Sequence, residues 1–134
     1  MVYSNTEKME DKEILTTLSI SDQTNKISEK AFYYCTALGI VTIPDSIEVI
    51  EDGAFYNCVS LKEVNLPDSL IEIGEDAFYY TALIGDLIIP DNVEKIGDNA
   101  FVGVKVTNIY LPDSIELGNS IFARCKRLKH VELP

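Results

Sequence analysis

A repeat of 21 to 23 residues constrains the fold of this chain more than any other feature of its sequence. All five prolines and all five phenylalanines recur at this spacing, and each of the three cysteines lies three residues after a phenylalanine. The positions are Pro44, Pro67, Pro90, Pro112 and Pro134; Phe32, Phe55, Phe78, Phe101 and Phe122; and Cys35, Cys58 and Cys125. Self-similarity at this period predicts stacked repeat units rather than one irregular core.

One unit, residues 61–82, reads LKEVNLPDSLIEIGEDAFYYTA. Its opening residues alternate between apolar and polar, which predicts a half-buried strand that ends at the proline. The Ala-Phe-x-x-Cys segment predicts a helical turn, since its apolar residues share one side at helical spacing. The same frame puts Ile84 in the inward position of Leu61. It predicts strands at 15–20, 38–43, 61–66, 84–89, 106–111 and 128–133.

Units of this length bury their apolar side only by stacking on one another. Equivalent strands then pair in parallel, about 4.8 Å apart, and the six form one continuous sheet. The return leg supplies the crossover, which predicts right-handed coils. We therefore predict a solenoid with a parallel sheet on its concave face and short strands or helical turns on the return side. Residues 15–134 form about five units and end in mid-unit, and residues 1–14 form a degenerate half-repeat or cap with a short helix over 4–14.

The composition is that of a folded but strongly acidic protein. Of its 134 residues 46% are hydrophobic and 25% charged, and the formal net charge is −11. This charge argues against nucleic-acid binding, and no apolar run approaches the length of a membrane span. The sign reverses at the end, where Arg124, Lys126, Arg127 and Lys129 accompany only one acid, Glu132.

Two segments, LPDSLIEIGEDAFYYT and IPDSIEVIEDGAFYNCVSL, closely resemble leucine-rich repeats of the BspA-like subtype, a 23-residue class found in surface antigens. The resemblance covers residues 15–134. It implies a leucine-rich-repeat solenoid that binds proteins, often in adhesion to host or matrix components, and that carries no fixed catalytic set. Family members are typically exported and contain longer arrays. The resemblance suggests a cell-surface or secreted location, although this chain shows no signal peptide. The end in mid-unit at Pro134 suggests a piece of a larger array.

The cysteines invite a disulfide interpretation. Cys35 and Cys58 occupy neighbouring rungs, which brings them within disulfide range. Thr81 and Val104 fill the same slot in other units, however, and this favours a small buried position with reduced thiols.

A column of aspartates follows four of the prolines. Stacked carboxylates could attract calcium, but each aspartate can instead accept hydrogen bonds from the amides of its own turn. We expect no metal and no cofactor at Asp45, Asp68, Asp91 and Asp113.

The sequence contains few residues of the types that take part in catalysis. The sole histidine, His130, is predicted to face outward from the last strand, whereas Cys125 is predicted to face inward, so no Cys–His pair forms. We therefore expect no enzyme.

Two surface ladders are the candidate binding sites. The tyrosines that follow the core phenylalanines, Tyr33, Tyr56 and Tyr79, lie on the convex side, where they either bind a ligand or merely cover the turns. The outward strand positions vary from unit to unit, unlike the core positions, and this is typical of a binding surface. We predict a protein partner on this concave face, with the site formed by Ile40, Glu63, Asn65, Asp86, Ile88, Asn108 and Tyr110.

The sequence thus favours a non-catalytic protein-binding module, of adhesin or surface-antigen type. The alternative is a structural array segment that self-associates weakly, head to tail, through its exposed ends. The acidic start and basic end of the chain favour such a contact.

Overall fold

Short strands and turns make up the whole of the described structure, a computed structural model that describes residues 2–3 and 15–133. No helix occurs within these residues. The strands are β1 Val2–Tyr3, β2 Thr17–Ile20, β3 Lys26–Ile27, β4 Ile40–Thr42, β5 Val49–Ile50, β6 Glu63–Val64, β7 Glu72–Ile73, β8 Ile84–Ile88, β9 Lys95–Ile96, β10 Lys105–Tyr110, β11 Glu116–Leu117 and β12 His130–Glu132.

The strands form two opposite faces of a solenoid of stacked coils. Strands of two to six residues line the concave face, in the order β1-β2-β4-β6 and, separately, β8-β10-β12. On the return side all strands have two residues and pair in the order β3-β5-β7-β9-β11. Every ladder is parallel, as the repeat predicts. At the N-terminal end β1 continues the sheet beside β2, and the predicted helix over 4–14 lies outside the described residues.

The core consists of residue ladders that run along the solenoid. Phe32, Phe55, Phe78 and Phe101 are at most 1% exposed, and successive rings stack with centroids 5.2–5.4 Å apart. Phe122 continues the stack at 5.9 Å and is half-buried. The predicted registration of the repeats is therefore confirmed.

The return turns are not the predicted helical turns. In the coil of Phe55, the N–H groups of Ala54 and Tyr56 donate to carbonyls of their own turn, whereas those of Gly53, Phe55 and Asn57 donate to carbonyls of the next coil. A helix would keep all of these bonds within one turn. Two residues per turn also adopt a left-handed φ of 52–77°, which single residues tolerate but a helix does not. These pairs are Lys30 and Tyr34, Gly53 and Asn57, Asp76 and Tyr80, Asn99 and Gly103, and Ser120 and Arg124.

The prediction of one continuous sheet on the concave face is also wrong, because no ladder joins β6 to β8 in the described part of the chain. The N–H of Lys62 donates to the carbonyl of Gly39, one full repeat earlier in the sequence. The N–H of Ala82 donates to the carbonyl of Leu61, which lies closer in sequence than a full repeat. The fourth coil, which contains β8, thus reaches the concave side of the solenoid earlier in the sequence than a full repeat predicts.

This early arrival changes which residues face inward. Leu83 is buried at 4% exposure, whereas Ile84, predicted to face inward, is 49% exposed. Gly85 follows with a φ of +75°, a left-handed conformation that glycine adopts without strain. Ile84, Gly85 and Asp86 all lie exposed before Leu87 returns to the core.

Candidate functional site

Six of the seven residues predicted for the concave site lie on its strands, and the seventh, Asn65, directly follows β6. The ladders align Ile40 with Glu63 and Ile88 with Tyr110. Asp86 aligns with Asn108 and, one strand further, with His130. Ile40, Glu63, Asn65, Asp86 and Ile88 are exposed, and Asn108 and Tyr110 are half-buried.

A groove of about 500 Å³ opens at the break between β6 and β8. It results from the displacement of the fourth coil, since β8 does not close against β6 there. Four predicted residues line it, namely Ile40, Glu63, Asn65 and Asp86. A second depression of about 330 Å³ lies beside it and includes Ile88. Tyr110 and Asn108 line neither of these two hollows.

Ile84 lines the groove as well, and the sequence reasoning missed it. A strict 23-residue frame assigns this isoleucine to the core. The available signal was the glycine that follows it, since a glycine inside a strand pattern often marks a bulge.

Asn65 shapes the groove through its side-chain amide. Its Nδ2 donates to the carbonyl of Ile43 at 2.7 Å, and its Oδ1 accepts from the N–H of Ile43 at 2.8 Å. The amide thus takes the place of the backbone just beyond the last ladder pair of β4 and β6, Val41 with Val64. Both polar atoms of this amide already bond to Ile43. Asn65 therefore determines the shape of the surface more than it provides hydrogen bonds for a partner.

The carboxylate of Asp86 has a fixed position. The Nδ2 of Asn108 donates to its Oδ1 at 2.7 Å. The Oγ1 of Thr107 donates to the carbonyl of Gly85 at 3.3 Å, beside the register shift in β10. The displaced stretch of the fourth coil is therefore held by side chains of the fifth.

At the far end of the face, Tyr110 lies beside the sole histidine, His130. Its ring lies 6.2 Å from that of His130, centroid to centroid. The Nε2 of His130 lies 3.8 Å from Glu132, and both side chains are more than half exposed. The histidine faces outward as predicted, and Cys125 is half-buried with its thiol donating to the carbonyl of Phe101 at 3.3 Å.

The convex tyrosines form a stack. Tyr33 and Tyr56 have ring centroids 5.0 Å apart, and Tyr56 and Tyr79 4.7 Å apart with nearly parallel planes. Tyr34 and Tyr80 pack edge-on against this stack. Burial, followed by repulsion from Tyr34, raises the pKa of the Tyr56 hydroxyl. Because the rings cover one another's faces, mainly edges and hydroxyls remain for a ligand, and binding here stays a prediction.

The remaining candidate residues, the cysteines and the aspartates that follow the prolines, do not come together in a reactive or metal-binding site within the described residues. Cys35 and Cys58 are buried thiols rather than disulfide partners, and the thiol of Cys58 donates to the carbonyl of Phe32 at 3.1 Å. Burial raises the pKa of Cys125, which disfavours the reactive thiolate. The four aspartates after the prolines are exposed. Among the described residues no three His, Cys, Asp or Glu side chains converge on a point where a metal could bind.

The family described as BspA type leucine-rich repeat region matches residues 7–134 in six copies. No curated protein matches the chain. In the part of the chain that the structure describes, no helix is long and apolar enough to cross a membrane.

Three solved structures share this architecture. A leucine-rich repeat protein from Bacteroides ovatus is 38% identical, with a TM-score of 0.83 over 89% of this chain and 31% of its own. One from T. pallidum is 30% identical, with a TM-score of 0.79 over 87% of this chain and 56% of its own. A leucine rich cell surface protein from Faecalibacterium prausnitzii is 27% identical, with a TM-score of 0.61 over 88% of this chain and 38% of its own.

The parallel coils and the open strand surface define a repeat solenoid of the protein-interaction or surface-module class. The chain belongs to the BspA-type leucine-rich repeat family. It spans only about a third to a half of the length of these three structures, 31%, 56% and 38%.

Proposed function

We propose that this chain is a non-catalytic adhesin-type module that binds a protein partner on its concave face. The main support for this proposal is that apolar side chains are exposed to solvent on that face. Ile40, Ile84 and Ile88 are 47%, 49% and 64% exposed. The fold does not require these side chains, because the core is filled by the inward residues of the same strands. Ile40 and Ile84 line the same groove, and exposed apolar surface rimmed by polar groups is typical of interaction sites.

The variation between coils supports the same proposal. Inward columns repeat one residue type, as the phenylalanines do, whereas the outward column of Ile88 continues with Tyr110 and Glu132. Tyrosine is enriched at interfaces, where truncation of a central anchor costs about 2 kcal/mol or more. Glu63 and Asp86 would favour a partner with a basic patch.

A surface location is part of this proposal. The F. prausnitzii structure is that of a cell surface protein, and it matches 88% of this chain. This similarity supports a secreted or cell-surface location, from which the chain would contact host or matrix components.

We expect Tyr110→Ala and Ile88→Asp each to weaken partner binding at least tenfold, since each removes apolar contact area from the face. The measurement is biolayer interferometry of the chain against an immobilised panel of extracellular-matrix proteins. Both residues are on the surface, so melting temperatures should stay within a few degrees of the parent.

Tyr56→Ala is the matched control, because it removes a tyrosine of the convex stack and leaves the concave face intact. If Tyr56→Ala alone abolished binding, the site would lie on the tyrosine stack of Tyr33, Tyr56 and Tyr79.

Self-association is the second candidate function, supported by the C-terminal coil. Phe122, Cys125 and Leu128 are half-buried there, and Leu133 is 66% exposed. In the described residues β12 pairs with β10 along one edge only. Exposed strand edges are templates for pairing with another chain.

If the basic end drives this contact, sedimentation at high protein concentration should show oligomers at low salt that dissociate as salt rises. The arginines and lysines concerned, Arg124, Lys126, Arg127 and Lys129, are all exposed. A monomer at every salt concentration would contradict self-association.

A further inference from the structure

We infer that the groove between β6 and β8 receives an extended, basic segment of the partner polypeptide, in which a lysine or arginine adjoins an aliphatic residue. This inference rests on the proposed function and specifies the ligand chemistry of its central part. Three properties of the groove carry it: an unpaired strand edge, an apolar lining and an excess of carboxylates.

The strand edge comes from the displacement of the fourth coil. Within the described residues β8 has a ladder partner in β10 only, so its edge toward β6 forms no ladder. Ile84, Gly85 and Asp86 are all exposed along this stretch. An extended peptide satisfies such an edge with main-chain hydrogen bonds, and pockets beside it then select the side chains.

The lining selects an aliphatic side chain. Exposed Ile40 and Ile84 border the groove, and Val64 and Leu87 lie beneath them. Its volume of about 500 Å³ accommodates more than one side chain. The stem of a lysine or arginine also packs on apolar surface while its charged end reaches outward.

The charged end would meet carboxylates. Glu63 and Asp86 line the groove, and Lys62 is the one base among its described lining residues. Asp68 adds a third carboxylate in the adjoining depression. The bond from Asn108 holds the Asp86 carboxylate in position, so less side-chain entropy is lost when a cation binds. The net charge of −11 also steers basic segments toward this chain.

Two synthetic peptides test the inference, both blocked at their ends: an alternating Lys-Val hexapeptide and its Glu-Val counterpart. Each is titrated into the ¹⁵N-labelled chain while amide shifts are followed. We expect the Lys-Val peptide to shift amides of Ile40, Glu63 and residues 84–88, and the Glu-Val peptide to bind at least tenfold more weakly.

A double variant, Glu63→Gln with Asp86→Asn, should weaken the Lys-Val peptide about fivefold, the effect of losing two exposed ion pairs. The matched control is Glu72→Gln with Glu116→Gln, which removes the same charge from the return-side strands β7 and β11. This control should leave the affinity within twofold of the parent.

Shifts confined to another surface, equal affinity for both peptides, or equal weakening by the two double variants would overturn the inference. The proposed function fails separately. A matrix protein that depends on Tyr110 and Ile88 but not on Glu63 and Asp86 would support concave-face binding and contradict the basic segment in the groove.

Discussion

Phe78→Ala should lower the free energy of unfolding by about 3–5 kcal/mol, the range for truncating a buried phenylalanine. Phe78 is fully buried. Its ring lies 5.2 Å from that of Phe55 and 5.3 Å from that of Phe101, with planes within 12° of parallel. The substitution therefore leaves a cavity inside a continuous stack, where neighbouring coils cannot move together without breaking their own hydrogen bonds.

The loss should begin locally, since each coil of a solenoid is stabilised mainly by its neighbours. Chemical denaturation followed by circular dichroism gives the overall change, and hydrogen exchange should show the amides of 75–103 losing protection first. Phe122→Ala provides the comparison, because Phe122 is half-buried and stacks on one side, 5.9 Å from Phe101. Equal destabilisation by both variants, or none by Phe78→Ala, would contradict the ladder as the main source of stability.

The sequence predicts these ladders because every repeat unit has the same type of residue at the same core position. A buried phenylalanine in one unit fixes the position of the next, so the constant spacing of the units is enough to place Phe32 above Phe55 and Phe55 above Phe78. The same constant spacing aligns outward residues of neighbouring units, as Asp86 and Asn108 show.

Departures from the repeat could not be predicted in this way. The fourth coil reaches the strand side early, which moves Ile84 outward and opens the groove. The periodicity predicts the same backbone path for every repeat unit, so it cannot show which unit departs from that path. The groove, the most distinctive feature of the candidate site, thus arises where the repeat is imperfect.

The return turns were mispredicted for another reason. The spacing of Ala54, Phe55 and Cys58 fits one side of a helix, and all three are indeed buried. Alternate amides of this turn, however, bond to carbonyls of the next coil, and the local spacing does not reveal a partner so distant in sequence. Asn65 is similar, because only the structure shows that its amide is engaged by Ile43.

Gly97→Ala should destabilise the chain by about 1–3 kcal/mol, the usual cost of forcing extra volume into a close-packed site. A Cβ at this position would lie 2.6 Å from the backbone nitrogen of Glu75 and 2.8 Å from the carbonyl carbon of Gly74. Both atoms belong to the backbone of the preceding coil, so no side chain can rotate away. The two coils must separate, although the N–H of Gly97 bonds to the carbonyl of Ile73 at 2.8 Å.

Gly39→Ala is the matched control, since its added Cβ would meet nothing nearer than 3.8 Å, the carbonyl oxygen of Thr16. Neither glycine has a left-handed φ, so conformational strain does not separate the two variants. Alanine at 39 should leave stability unchanged or raise it by about 0.4–1 kcal/mol, because it restricts the unfolded chain. Thermal melts of the pair, run side by side, isolate the contact between coils. If both variants melted together with the parent, the close approach of the coils at Gly97 would be wrong.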